Sequence, residues 1–470
     1  MPPPVSSTQN PEPSSQRPAF RDLQQAKPAS SSKMIPQLKK LLIITYYWPP
    51  SGGSGVQRWL KFVKYLPSFG WQPHVFTPEN PSFEIRDDTL LKDIPPQVEV
   101  IRFPIWEPYT IFSTVSKLVG KKTVSQIDLV AAGRKSLFQH ITSWIRGNFF
   151  IPDARVMWVK PSVKFLENFL ISNEITTIIT TGPPHSLHLI GLKLKKKNPS
   201  LKWIADFRDP WSEWDLLDTL SLTDWARKKH QNLEGEVLKR ADRVITIAPF
   251  HVRRLEVLSG RNVDLITNGF DEDDFAGIQK VKTKKFMIRH IGMVDELRDP
   301  KPFMLAAKTL AVASPDFSDN VVIEFIGSVN GAFREFVAQD KILSTMTVFS
   351  RPVSHADLLK LYGDTDIQLL VLAHTTLAAG NLPGKFFEYL ASGNFIFGVG
   401  PENGDAAEVL RQTKGGIMIE RDNAEKIKNS LQIKFEEWRR GSAEAMRDVS
   451  AFSRKELTRK LSDLIVQGLS

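Results

Sequence analysis

Lys39-Lys40-Leu41-Leu42-Ile43-Ile44-Thr45-Tyr46-Tyr47-Trp48-Pro49-Pro50-Ser51-Gly52-Gly53-Ser54-Gly55 is the stretch whose reading decides the fold. Residues 41–47 form a short apolar run that Trp48-Pro49-Pro50 stops, the pattern of a buried strand ending in a loop. After the glycines, residues 56–66 place their apolar side chains at helical spacing. A strand, a glycine-rich turn and a helix in that order predict the opening unit of a parallel α/β sheet. Glycines in such a turn let backbone N–H groups approach a ligand, and the helix N-terminus that follows favours an anion. The dinucleotide fingerprint Gly-x-Gly-x-x-Gly is not completed, because Arg58 occupies its last position when counted from Gly53 and Gly55. That argues against a nicotinamide cofactor. A contact from Gly53, Ser54 and Gly55 to an anion or a sugar stays open beside a plain tight turn.

Outward from this unit, short apolar runs recur at 74–77, 98–101, 176–181, 203–205 and 244–247, with helical patterns such as 161–170 and 224–240 between them. The series pauses at Asn268-Gly269-Phe270-Asp271 and a charged stretch up to Lys285. A second series follows at 286–291, 321–326, 346–349, 367–372 and 395–399. Alternation of this kind predicts mostly parallel sheets covered on both faces. At 470 residues the chain exceeds what one hydrophobic core supports, so two domains are expected, 37–271 and 272–435, with a helical tail at 436–470. The leader, 1–36, is rich in Pro, Ser and Gln, has no apolar run, and is expected to be disordered and not a signal peptide.

The chain has no cysteine, which excludes disulfides, thiolate nucleophiles and Cys-ligated metals. Its net charge of +10 fits phosphate-bearing substrates or anionic lipid, and no nucleic-acid-binding module is recognisable. From 117 to 164 there are nine Lys/Arg and two Asp, a local charge of +7, interleaved with Trp144, Phe149, Phe150, Met157 and Trp158. Lysines 193, 195, 196, 197 and 202 follow in a segment without acids. Such interleaving suits an anionic membrane surface as well as a solvated face over core aromatics. No segment is long and apolar enough to span a bilayer.

Asn381-Leu382-Pro383-Gly384-Lys385-Phe386-Phe387-Glu388-Tyr389-Leu390-Ala391-Ser392-Gly393 carries the clearest chemistry. Pro383 and Gly384 predict a helix start, and the spacing of three puts Lys385 and Glu388 on one face. A lysine beside a helix N-terminus can neutralise a diphosphate, and a carboxylate can accept from ribose hydroxyls. An exposed ion pair between the two is the plainer alternative. His185, in Thr181-Gly182-Pro183-Pro184-His185-Ser186, follows a strand end and could polarise a sugar hydroxyl or simply pack at a helix start. Asp206, Arg208 and Asp209 also follow a strand, where α/β sites collect. They could orient an acceptor hydroxyl or brace the turn. Asp364-Thr365-Asp366 mimics a metal-binding pair, but its place before a buried strand favours a structural role.

The string Pro383-Gly384-Lys385-Phe386-Phe387-Glu388-Tyr389-Leu390-Ala391 resembles the donor-site motif of family 4 glycosyltransferases, in the branch that builds bacterial surface polysaccharides. Similar motifs recur in the family's order at Tyr46-Tyr47-Trp48-Pro49-Pro50, at Asp206-Phe207-Arg208-Asp209-Pro210-Trp211 and at Asn268-Gly269-Phe270-Asp271. The resemblance implies a GT-B architecture: two Rossmann-like domains facing across a cleft, with the C-terminal helix crossing back to the first. It implies a retaining, metal-independent sugar transferase without a cofactor, taking a UDP- or GDP-sugar donor in the second domain. The acceptor, an oligosaccharide or lipid-linked saccharide, would sit in the first domain, at the cytoplasmic face of the cell membrane. On that analogy Glu388 binds the ribose, and Gly53 and neighbouring loop residues approach the donor phosphates or sugar. Gly384 and Lys385 are expected beside them at the donor, and Asp206, Arg208 and Asp209, from their place after a strand, at the acceptor. Two departures matter. Gly380 stands where many members carry a first glutamate, and Met293 follows Gly292 where they carry arginine, with Arg298 falling at a later lysine position. Arg298 and Lys385 are therefore expected to supply the positive charge together. A nucleotide-sugar epimerase of the same fold and a silent nucleotide-binding partner of an active transferase are the rival readings.

Overall fold

The computed structural model describes residues 38–81, 86–106, 137–441 and 447–467. The leader and positions 117–136 of the basic stretch lie outside the described residues. Seven parallel strands make the first sheet: β1 (Lys39–Ile44), β2 (Trp71–Pro78), β3 (Glu99–Phe103), β4 (Thr177–Gly182), β5 (Lys202–Phe207), β6 (Arg243–Thr246) and β7 (Asp264–Leu265), in the order β3-β2-β1-β4-β5-β6-β7. The second has six: β8 (Phe286–Ile291), β9 (Val321–Ile326), β10 (Thr347–Ser350), β11 (Ile367–Val371), β12 (Phe395–Val399) and β13 (Gly416–Ile419), in the order β10-β9-β8-β11-β12-β13. Ile43 sits between Val75 and Ile179, and Ile288 between Ile323 and Ile367, so the opening strand of each series is central in its sheet.

These central strands are buried on both faces, which is why they read as unbroken apolar runs. Each sheet has a core on either side. Leu42, Ile44, Leu166 and Trp203 belong to one core of the first sheet, and Leu41, Ile43, Trp59 and Trp71 to the other. The strand order reverses between β1 and β4 and again between β8 and β11. In open parallel sheets, such reversals leave a crevice at the carboxyl ends of the strands, where ligands bind.

The C-terminal region is shared between the two sheets. Helix Ala424–Arg440 buries Ile427, Leu431 and Phe435 in the core of the second sheet. Helix Arg454–Gln467 instead buries Leu457, Leu461, Leu464 and Ile465 among Leu41, Ile43 and Trp59 of the first, and Trp71 donates to Ser462 Oγ at 3.0 Å. The first of these two helices continues past Phe435 to Arg440. The linker is pinned where the crossing segment meets it: Phe270 N–H donates to the Phe452 carbonyl at 3.1 Å, and Arg454 N–H to the Phe270 carbonyl at 2.7 Å. Asp271 is 2.7 Å from the ammonium groups of both Lys61 and Lys64 on helix Ser54–Tyr65.

Candidate functional site

At the β1/β4 reversal the glycine-rich loop meets the Gly182-Pro183-Pro184 turn. Gly53 stands at φ +85° as the residue before helix Ser54–Tyr65, which Ser54 and Gly55 open. Arg208 fastens the two loops together. Its Nη1 donates to the Gly55 carbonyl at 2.9 Å, its Nη2 to the Pro183 carbonyl at 2.5 Å, and its Nε to the Gly182 carbonyl at 3.3 Å. Burial lowers its pKa, with Asp209 and Asp206 opposing.

The three charged residues at the carboxyl end of β5, Asp206 within it and Arg208 and Asp209 beyond it, consequently have three different situations. Asp206 is fully buried and its carboxylate is taken up by Arg58 (2.9 and 3.1 Å), Trp59 Nε1 (2.7 Å) and Thr181 Oγ1 (2.9 Å). No oxygen is left for an acceptor, so in this arrangement Asp206 holds β4, β5 and the first helix together. Arg208 positions the loops. Asp209 alone is exposed, and no hydrogen bond to its carboxylate is formed among the described residues. The surrounding protein raises its carboxyl, while Arg208 and Arg298 pull the other way.

His185 is buried and stacks on Trp211 with ring centroids 5.1 Å apart and planes within 9°. Burial holds its pKa well below the ordinary value, with His188 adding to the effect, so the ring is neutral at physiological pH. Neither ring nitrogen makes a well-formed hydrogen bond, although the Pro210 carbonyl lies on the side that favours the protonated form. His188 is committed: its Nδ1 is 2.9 Å from Thr180 Oγ1 and its ring stacks on Phe207. His185 also lines a cavity of about 60 Å³, together with Phe150, Pro183, Trp211, Trp214 and His230. At that volume the cavity does not enclose a sugar ring, but its aromatic faces offer a wall on which the C–H face of a pyranose could pack.

Across from this edge, helix Gly384–Ala391 starts immediately after Pro383. Lys385, in its first turn, is half-buried, and among the described residues its ammonium has no hydrogen-bond or ion-pair partner. Burial lowers its pKa, partly offset by Glu388. Its Nζ lies 3.5 Å from the point a Cβ on Gly292 would occupy. Gly292 has φ +145°, a conformation that only glycine adopts without strain.

Glu388 faces inward with its side chain 16% exposed. Tyr362 Oη donates to Oε2 at 2.8 Å, and His355 Nε2 is 3.6 Å from Oε1. Burial alone would raise the carboxyl, but His355, Tyr362 and Lys385 outweigh it and the pKa falls below the usual value. Burial likewise works against the His355 cation, yet Glu388 and Asp274 raise its pKa. Glu388 is thus an ionised, oriented acceptor on the same helix as a cation that no hydrogen bond or ion pair holds among the described residues. His355 and Tyr362 lie on a different helix, His355–Gly363, and nothing in the spacing around Glu388 points to them.

Arg298 is placed less directly. Asp295 accepts from its backbone N–H at 2.7 Å and from its Nη1 at 2.6 Å, and the side chain is 37% exposed. It remains within electrostatic reach of Asp209 across the cleft and of His290 beside Lys385. Position 380 is closed: a Cβ there would lie 2.6 Å from the Phe250 ring. Phe250 comes from the first domain, and its N–H donates to Asp405 of the second at 2.8 Å. Asp364 and Asp366 do not form a metal pair. Asp364 holds Arg289, and Asp366 caps the Met287 N–H at 2.8 Å.

The basic surface also differs from expectation. Lys195 pairs with Asp242, Lys196 with Glu236 and Lys197 with Glu167. That cluster is largely neutralised by its own neighbours. The exposed apolar side chains lie elsewhere: Ile141, Trp144 and Phe149 on helix Leu137–Phe149, and Met157 beyond it. No helix among the described residues is long and apolar enough to cross a membrane.

No protein-family model matches the chain, and neither does any curated protein. Solved structures do. Sucrose-phosphate synthase from Thermosynechococcus elongatus is similar at a TM-score of 0.58 and 14% identity, covering 91% of this chain and 98% of that one. WaaG, a glycosyltransferase involved in lipopolysaccharide biosynthesis, is similar at 0.54 and 14%, covering 90% and 99%. A putative UDP-N-acetylglucosamine 2-epimerase from Listeria monocytogenes reaches 0.52 at 11% identity, covering 92% and 96%. At such identities the likeness establishes the fold: the chain has a GT-B architecture, with two Rossmann-like sheets and a C-terminal helix returning to the first.

Proposed function

We propose that the protein is a glycosyltransferase that moves a sugar from a UDP- or GDP-linked donor, with retention of configuration, to a saccharide acceptor. The observation that carries this reading is the pairing, on one helix, of the Lys385 ammonium, which forms no hydrogen bond or ion pair among the described residues, with the oriented, ionised Glu388 carboxylate. In this reading Glu388 accepts from the ribose hydroxyls. Lys385, with Arg298 behind it, meets the negative charge that builds on the leaving diphosphate, so these cations and the backbone amides stabilise departure without a metal ion. The glycine-rich loop approaches the donor from the first domain. Asp209 and the cavity beside His185 receive the acceptor. Glu388→Gln is expected to weaken UDP or GDP binding by about 1.5–3 kcal/mol, the worth of a charge-assisted hydrogen bond, with the fold intact. Equal affinities in calorimetry would refute the ribose assignment.

The epimerase reading draws support from the likeness to a putative epimerase. Product analysis decides between the two, since an epimerase converts the donor without any acceptor. A silent partner would show neither transfer nor donor hydrolysis as an isolated chain.

We further place the acceptor on a lipid carrier, in surface-polysaccharide synthesis at the cytoplasmic face of the membrane. The support is the exposed row Ile141, Trp144, Phe149 and Met157 in a strongly basic region beside the cavity. Changing Trp144 and Phe149 together to Ala is expected to lower partitioning onto vesicles of anionic lipid by about tenfold or more, since each buried aromatic contributes about 1.5–3 kcal/mol. Charge-neutral removal of both pairs, Lys196→Gln with Glu236→Gln and Lys197→Gln with Glu167→Gln, should change it little, because those charges already cancel. Undiminished flotation of the double variant would refute this placement.

A further inference from the structure

We infer that His290 is a sugar-recognition residue of the donor site, its Nε2 accepting a hydrogen bond from a hydroxyl of the transferred sugar. The inference rests on the donor-site reading above and adds to it the group that recognises the sugar.

His290 is the fifth residue of β8, at the carboxyl end of the central strand and beside the β8/β11 reversal. Its Nδ1 is 3.0 Å from the Leu369 carbonyl on β11. A carbonyl only accepts, so Nδ1 carries the hydrogen and the neutral ring keeps its lone pair on Nε2. The side chain is 5% exposed, and Nε2 makes no well-formed hydrogen bond, although the Met293 backbone lies near enough to the ring to favour its protonated form. Leaving such an acceptor unmatched costs free energy, so a buried orphan at a ligand crevice calls for a donor. Nε2 lies 3.8 Å from the point where a Cβ on Gly292 would sit, and Lys385 Nζ lies 3.5 Å from that same point. The missing Cβ leaves the space onto which both groups open.

The other polar groups at this edge are spoken for. Lys385 can only donate, and Glu388, oriented by Tyr362 and His355, is the acceptor already assigned to the ribose. Phe250 seals position 380, so no side chain can reach the donor from there. His290 is then the acceptor available to a sugar hydroxyl next to the diphosphate. The charged groups that face it are Lys385 and Arg298, and with burial as the main cause they depress its pKa to about 4. The lone pair is therefore present throughout the neutral range. A diphosphate oxygen would be repelled by it, whereas a hydroxyl is attracted.

The test compares calorimetric affinities for bare UDP and GDP with those for UDP-glucose, UDP-N-acetylglucosamine and GDP-mannose, in wild type, His290→Leu and His290→Gln. For the accepted donor, His290→Leu is expected to lose about tenfold in nucleotide-sugar affinity, with bare nucleotide affinity unchanged, and the acceptor oxygen of Gln restores most of it. If the Leu variant does not fold, the wild type decides. Its preference for nucleotide sugar over bare nucleotide should hold from pH 8 to 6 and fall as pH approaches 4. A preference unchanged at pH 4, equal losses for sugar and bare nucleotide, or no loss in either, would overturn the inference alone. A wild type that binds no nucleotide at all would remove the donor-site reading and this inference with it.

Discussion

Replacing Lys385 with Met is expected to lower turnover about a hundredfold, the typical cost of one electrostatic contact made to charge that develops in the transition state. The residue qualifies for so large an effect because its ammonium is half-buried and has no partner among the described residues. Only Glu388, one turn on, offsets part of its field, and the rest acts on a ligand in a site where water screens little. Binding of the bare nucleoside should change far less, since a nucleoside carries no diphosphate. Arg298→Met is expected to cost less than Lys385→Met, because Asp295 already neutralises Arg298 at 2.6 Å and the side chain is more than a third exposed. Turnover measured at saturating donor, with nucleoside affinity from calorimetry, separates these effects. Near wild-type turnover in Lys385→Met would mean that the leaving group is stabilised from elsewhere.

The contrast between these two cations marks where the sequence stops being informative. Strand positions were legible because buried parallel strands are continuous apolar runs: β8, β9 and β12 lie at the residues their patterns indicate. Missing from that reading are β7, two residues long, and β13, whose Gly416-Ile417-Met418-Ile419 is too short to stand out from a loop. The helix bearing Lys385 and Glu388 was also legible, since Pro-Gly and a spacing of three are local signals. The state of each side chain was not. Whether a charge is spent on a neighbour depends on partners far away in the sequence, such as Arg58 for Asp206 or Glu236 for Lys196. The same holds for His290, whose importance comes from a β11 carbonyl and from the glycine two residues later, a juxtaposition that only the folded sheet displays.

Asp206 illustrates the cost of that nonlocality and gives the largest expected effect on stability. Arg58 and Asp206 are 1% and 0% exposed, and their contact is bidentate. Removing one partner of such a pair strands the other as a buried charge, which typically costs about 3–5 kcal/mol. Asp206→Ala should therefore lower the urea midpoint for unfolding of the first domain sharply. It would also orphan the Trp59 and Thr181 donors, which adds to the loss. Arg58→Met should be similarly destabilising. Making both substitutions together, with apolar side chains of matching volume, should recover part of the loss, because no unpaired charge then remains. Asp209→Asn, three residues away and exposed, should leave the midpoint within about 0.5 kcal/mol of wild type, as surface substitutions usually do. Nucleotide affinity should survive all four, since the donor helix belongs to the other sheet. If Asp206→Ala instead left stability intact and abolished only transfer, the buried pair would not be what holds this edge of the sheet together, and an acceptor role for Asp206 would have to be restored.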